Sequence, residues 1–199
     1  MNTATPAWPA RSLPGDKAGA RAVARALART SPPDVDGAAM EHVMPLLKPH
    51  AGYVGIYRPL PVEASLGPLL TATWRARVAY VRAAADHSLQ FVAWDGVSPW
   101  TRDALNMEAP PLDGGVVPDA QVSVVCVPGL AFAPDGRRLG RGAGCYDRTL
   151  GRVPHALRVA VTHERCLFES VPVDARDEPV DVVVTALRVH WTGARGRTA

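Results

Sequence analysis

"VSVVCVPGLAFAPDGRRLGRGAGCYDRTLGRVPHALRVAV", from Val122 to Val161, carries the plan of the chain. It opens and closes on short valine-rich runs, VSVVCV (122–127) and LRVAV (157–161), apolar almost without interruption. A strand with one wet face alternates apolar and polar residues. A strand buried on both faces does not, and it belongs to a parallel sheet covered by helices. The first run reads as a strand continuing through VSVVCVPGLAF, followed by a polar turn at Pro134-Asp135-Gly136. Gly140, Gly142 and Gly144 then alternate with Arg141 and Ala143, and CYDRTLGR is predicted to open a helix. Strand, loop, helix and strand in that order form a crossover unit between parallel strands.

The same signature recurs outward. YVGIY (53–57), RVAYV (77–81) and DVVVT (181–185) are short, valine-rich and nearly continuous in hydrophobicity, and SLGPLLTATWRA (65–76) is a candidate crossover helix between the first two. Nearer the start, Asp16 is an N-cap for the alanine-rich run KAGARAVARALART, which stops before Pro32-Pro33. Met40, Val43, Met44 and Leu47 follow at helical spacing, with Pro45 expected to kink that helix. Those methionines read as core. The expected architecture is a single-domain three-layer α/β/α sandwich with a mainly parallel sheet over residues 16–191. A flexible segment (1–15) precedes it, a tail (192–199) follows, and 95–120, rich in Pro, Gly and Asp, is expected to be a long irregular connection.

At 199 residues, with 47% hydrophobic and 21% charged, the chain has room for one folded domain with a sizeable core. No run of about 18 apolar residues exists, and MNTATPAWPARSLPGDK lacks the charged and apolar regions of a secretory signal. A cytoplasmic protein with no membrane partner is expected. Cys126, Cys145 and Cys166 are odd in number and form no CxxC, which argues against a disulfide framework or a zinc site and for free thiols. The 22 Lys and Arg against 19 Asp and Glu leave a net charge of +3, too mild and scattered for nucleic acid. Arginines concentrated at a few loops fit a small polyanion better. Oligomeric state is left open. No GxSxG or HExxH occurs, and the six histidines show no ligand spacing, which leaves hydrolytic and metal-protease chemistry unsupported.

The glycine run has two readings on residues alone. It is a flexible turn, or it is a phosphate cradle in which backbone N–H groups reach the ligand with no Cβ in the way. Arg138, Arg141 and Arg148 would then neutralise phosphate oxygens. It is neither a Walker loop, since no Gly-Lys-Ser/Thr follows, nor the dinucleotide GxGxxG. Asp147, three residues beyond the last loop glycine, would be repelled by a phosphate unless a divalent cation lay between them; alternatively it pairs with Arg148 or a loop arginine.

"VPGLAFAPDGRRLGRGAGCYDRTL" resembles the signature of the 5-formyltetrahydrofolate cyclo-ligase (methenyltetrahydrofolate synthetase) family, in which a Val-Pro strand and a turn precede Arg-Leu-Gly-x-Gly-x-Gly-Tyr-Tyr-Asp-Arg. Lys17 and Arg21 resemble the family's Lys-x-x-x-Arg pair near the start of the first helix. Tyr57 and Glu63 in YRPLPVEASL match its strand-end segment, and VPVDARDEPVDVVVT, with Asp177, matches its closing segment. The likeness spans roughly residues 16–186. It implies an enzyme with ATP and Mg²⁺ that converts 5-formyltetrahydrofolate to 5,10-methenyltetrahydrofolate, releasing ADP and phosphate. Its partners would be small molecules, ATP and a reduced folate.

Carried onto this sequence, the resemblance implies ATP contacts from Lys17, Arg21, Arg138 and Leu139, and from the loop Gly140, Arg141, Gly142, Ala143, Gly144, Cys145 and Tyr146. The folate would meet Tyr57, Arg58 and Glu63 together with Arg141 to Cys145. Arg141 and Tyr146 would border the reacting groups as catalytic residues, and Asp147 with Asp177 would hold Mg²⁺. The sequence departs from the family at Cys145, which replaces the first tyrosine of Tyr-Tyr, at Arg58, at Val81 and at Arg176. Cys145 reads as a tolerated replacement, as the mark of another substrate, or as a thiol made reactive by its arginines and a helix start. Two other functions stay open: a divergent member that keeps the phosphate loop for another ligand, and a sugar-phosphate isomerase or CoA-transferase-like enzyme of similar architecture. Lys17, Asp147 and Asp177 speak against the last.

Overall fold

In a computed structural model the chain is described over residues 7–29, 36–70, 74 and 76–196. Helix α1 (Lys17–Ala28) begins as its cap demands: the Asp16 side chain accepts a hydrogen bond from the Gly19 amide. Helix α2 (Asp36–Leu47) runs through Pro45 in its last turn. Of the predicted crossover 65–76, the structure describes a 3₁₀ turn at Gly67–Leu70; 71–73 and 75 lie outside the described residues.

The strands follow in chain order: β1 (Tyr53–Ile56), β2 (Val78–Ala83), β3 (Leu89–Ala93), β4 (Thr101–Arg102), β5 (Glu108–Ala109), β6 (Val116–Val117), β7 (Val122–Cys126), β8 (Ala131–Phe132) and β9 (Arg138–Leu139). After helix α3 (Cys145–Leu150) come β10 (Leu157–Val161), β11 (Val182–Val184) and β12 (Val189–Trp191). Eight of them form one sheet in the order β12-β11-β10-β7-β1-β2-β3-β6. The inner run β11-β10-β7-β1-β2 is parallel throughout, with registers such as Val54↔Val78, Val54↔Val124 and Val159↔Val182. These are the five strands expected from continuous hydrophobicity. The outer strands β3 and β6 at one side and β12 at the other pair antiparallel, with β6 and β12 forming the edges.

Burial on both faces explains the valine runs. Val124 and Cys126 face one cluster with Val43 and Leu47 of α2, while Val125 and Val127 face the other with Ala28 of α1 and Leu150 of α3. Each valine so enclosed contributes about 1.5–3 kcal/mol. The three-layer α/β/α expectation holds.

Two expectations need correcting. VSVVCVPGLAF is not one strand: β7 ends before Pro128, which has no N–H for the ladder. Ala131–Phe132 pairs instead with Arg138–Leu139 across the Pro134-Asp135-Gly136 turn. Nor is 95–120 uniformly irregular, since it holds the β4–β5 hairpin and edge strand β6. At the start, residues 7–15 carry no helix or strand but lie against the body. Trp8 Nε1 donates to the Phe168 carbonyl at 2.8 Å, and Arg188 Nη1 donates to the Ala7 carbonyl at 3.2 Å. At the other end, Arg195 Nη1 donates to the buried Asp181 carboxylate at 2.9 Å.

Candidate active site

Chain order reverses at β1, whose neighbours are β2 on one side and β7 on the other, and such switch points in parallel sheets leave a crevice at the carboxyl ends of the strands. A cavity of about 1050 Å³ lies there. Tyr57 and Arg58 enter it from the end of β1, Pro128 and Gly129 from the end of β7, and Val81 and Ala83 from β2.

The glycine run forms one wall. Gly142 (φ +114°) and Gly144 (φ +70°) occupy backbone conformations that side chains with a Cβ rarely adopt, and Gly144 is also the N-cap of α3. The loop's carbonyls are claimed by arginines: Arg21 Nε donates to the Gly140 carbonyl at 3.0 Å and Arg148 Nη1 to the Ala143 carbonyl at 2.7 Å. Its amides are not. From Arg141 to Tyr146 none donates to a protein acceptor among the described residues. Amides left free beside guanidinium groups make an anion-binding concavity. Because α3 is only six residues long, this rests on local N–H groups and arginines rather than on a helix dipole.

Arg138 is buried (5% exposed) and its Nη2 lies 2.6 Å from Asp147 Oδ1, with the guanidinium 5.6 Å over the Tyr146 ring. Asp147 Oδ1 also accepts from the Glu178 amide at 3.2 Å. Asp177 repeats the pattern: its Oδ2 takes Lys17 Nζ at 2.5 Å and the Asp174 amide at 2.6 Å. Thus Asp147 pairs with Arg138, not Arg148. The other oxygen of each carboxylate, Oδ2 of Asp147 and Oδ1 of Asp177, accepts no hydrogen bond among the described residues. Burial acts to lower the Lys17 pKa, but hydrogen bonds to Asp177 and Asp174 outweigh it and the net shift is upward. Asp174 is lowered, chiefly by its hydrogen bond from Lys17.

The facing wall carries Glu63, whose side chain is only 8% exposed. Its Oε2 accepts from the Leu60 amide and its Oε1 from Arg141 Nε, both at 3.0 Å. Tyr57 is buried and donates to the Ala64 carbonyl at 3.2 Å, which fixes the turn that presents Glu63.

A model of the 5-formyltetrahydrofolate cyclo-ligase family matches residues 24–186. The chain belongs to this family. Over 146 residues it is 32% identical to the 5-formyltetrahydrofolate cyclo-ligase of Escherichia coli K12, covering 69% of this chain and 80% of that one. It is 39% identical over 69 residues to the cyclo-ligase of Mycolicibacterium smegmatis, covering 34% of this chain and 36% of that protein. The solved structure of Aquifex aeolicus 5,10-methenyltetrahydrofolate synthetase superposes with a TM-score of 0.72 at 29% identity, over 92% of this chain and 95% of the other. Membership in the cyclo-ligase family makes the protein a ligase. The matched span begins C-terminal to Lys17 and Arg21, so those two rest on the local pattern and on their place in the cavity.

Of the residues expected to form the cyclo-ligase site, all but one line this cavity. The exception is Leu139: 1% exposed, its side chain packs with Leu130 and Phe168 beneath the loop. The surroundings of Cys145 do not favour the reactive-thiol reading. Burial raises the thiol's pKa, and this outweighs the opposing effect of Arg148. Cys126 is pushed up to about 12 by burial. Tyr146 is raised well above the ordinary tyrosine value, by burial first and then by the charge of Glu63, and its buried hydroxyl has no partner among the described residues. At neutral pH it is therefore a protonated hydroxyl, able to donate a hydrogen bond but not to serve as a base.

Sequence reasoning missed the β4–β5 hairpin as a wall. Arg102, Asp103, Leu105, Met107 and Glu108 all line the cavity. Its strands are two residues each, too short for a periodic signal. No group of three or more His, Cys, Asp or Glu able to hold a metal occurs among the described residues, and no helix among them is long and apolar enough to cross a membrane.

Proposed function

We propose that this ligase uses ATP and Mg²⁺ to convert 5-formyltetrahydrofolate to 5,10-methenyltetrahydrofolate, with ADP and phosphate as the other products. The observation that carries this reading is the Arg141–Glu63 pair: the anion-binding loop and the buried carboxylate on the opposite wall touch, so two ligands would meet there. The loop amides, with Lys17, Arg21, Arg138 and Arg141, suit the phosphates of ATP. Glu63 suits the N–H groups of a pterin, with Tyr57 beside it, and Arg58 lies further along the folate's path.

A formamide oxygen is a poor leaving group. Transfer of the γ-phosphoryl to that oxygen makes it part of a phosphate leaving group, and N10 then closes on the same carbon, phosphate departing with the C–O electrons and the N10 proton passing to it as hydrogen phosphate. No side-chain nucleophile is needed, and the protein's work is positioning and charge neutralisation. Arg141, released from Glu63 by the ligands, would follow the transferring group. Tyr146, held protonated, would donate a hydrogen bond beside it. Asp147 and Asp177 would hold the Mg²⁺, and the donor set fits: each carboxylate keeps one oxygen open, and this cation commonly takes one or two carboxylates plus phosphate oxygens. When bound, the cation neutralises charge on the nucleotide.

The test is a rise in absorbance from the methenyl product when purified protein, Mg-ATP and 5-formyltetrahydrofolate are mixed. Silence with ATP binding intact overturns the reading and favours a divergent member with another ligand. Full turnover by Arg141→Ala would remove the role given to the loop.

A further inference from the structure

The wall opposite the glycine run holds a second cationic group. In the β4–β5 hairpin Arg102 stands directly across from Glu108, and residues so opposed in an antiparallel pair project on one face. From the end of β1, Arg58 Nη1 reaches Glu108 Oε2 at 2.6 Å. Two arginines therefore flank one glutamate and all three line the cavity, while the nearby Asp103 carboxylate is turned to the hairpin's own backbone, accepting from the Ala83, Leu105 and Met107 amides.

Arg58 is held ready rather than loose. Its guanidinium lies 4.9 Å over the Trp100 ring. Trp100 is itself fixed edge-on by Tyr80 at 4.8 Å and by Trp94 at 5.2 Å. Stacking uses the face of a guanidinium and leaves its N–H edges for planar anions. The Nε–Nη2 edge of Arg58 donates no hydrogen bond among the described residues. Glu108 is a weak holder, because both side chains are nearly half exposed, at 48% and 42%, and such pairs exchange partners at little cost.

We infer that Arg58, with Arg102 beside it, binds a carboxylate of the substrate's tail, and that Glu108 is the internal carboxylate displaced when the tail arrives. This rests on the ligase reading above, since 5-formyltetrahydrofolate ends in a glutamate with two carboxylates while the phosphates are served by the opposite wall. Arg58 thereby sets specificity for an acidic tail.

The experiment compares 5-formyltetrahydrofolate with its diamide, in which both tail carboxylates are carboxamides, in the wild type, R58Q and E108Q. The readout is the ratio of kcat/KM for the diacid to that for the diamide, because a partly misfolded variant loses both activities together and its ratio does not move. R58Q is expected to lower the ratio about tenfold, the scale of one charge-assisted contact. E108Q, which removes the competitor, is expected to raise it about threefold, well under the value of a full contact. A ratio in R58Q equal to that of the wild type, in an enzyme that turns over the diacid, overturns this inference and leaves the ligase reading standing. A wild type inactive on the diacid overturns the ligase reading and this inference with it.

Discussion

The two walls of the cavity hold their charges on opposite terms. On the glycine-loop side the Arg138 side chain is 4% exposed and its partner Asp147 20%; on the hairpin side Arg58 and Glu108 are 48% and 42% exposed. The N–O distance is 2.6 Å in both pairs. Distance therefore says nothing about their worth, and burial says nearly all of it. Removing one partner from a buried pair strands a desolvated charge, whereas water replaces the lost partner of an exposed one. The first pair is a fixed part of the cradle, and the second is an exchangeable contact.

Arg138→Ala should break the contrast most severely. It leaves Asp147 without its cation and is expected to lower unfolding stability by about 3 kcal/mol in urea titrations. The double variant Arg138→Ala/Asp147→Ala should lose less than the two single losses added together. Next in size, Arg141→Ala removes the donor that joins the loop to Glu63, and steady-state turnover should fall about a hundredfold. Gly142→Ala forces a Cβ into a backbone at φ +114°, with an expected stability cost of about 1–2 kcal/mol and a raised KM for ATP in the same assay. At the far end, Glu108→Gln should change the urea midpoint by no more than about 0.5 kcal/mol of stability, however much it alters substrate preference.

The smallest effect concerns pH. Asp174 is depressed by Lys17, so its contribution to stability is fully present above the ordinary aspartate value and is lost as pH falls through the lowered one. Lys17 is raised, so its contribution is present below the ordinary lysine value and fades only as pH climbs past the raised one. Asp174→Asn should flatten the acid limb of a stability–pH curve while leaving neutral pH nearly unchanged. An acid limb identical to wild type would show that the pair is already replaced by water.

What could be read from sequence tracks how local the cause was. β1, β2, β7, β10 and β11 were legible because burial on both faces writes itself as unbroken Val-rich runs. β12 was not, since Val189, His190 and Trp191 are all half-buried and edge pairing imposes no such pattern. The loop was legible because its glycines and arginines are contiguous. The Lys17–Asp177 bridge joins residues 160 apart, so only likeness to a family could place them together. Arg102 and Glu108 carried no signal, because what matters is their register across a hairpin of two-residue strands. Leu139 was carried along by its neighbours in the motif although its side chain turns into the core.

The way the first residues are moored has a consequence for how the protein comes into being. Trp8 is bonded to Phe168, Ala7 to Arg188, and Lys17 to Asp174 and Asp177. During synthesis α1 leaves the ribosome well before any of those partners, which lie more than 150 residues further along the chain. Lys17 must therefore wait, helical or not, until the segment carrying Asp174 and Asp177 has emerged. A chain stopped before residue 168 would carry the glycine loop complete but leave α1, and the Lys17 it bears, with none of these moorings.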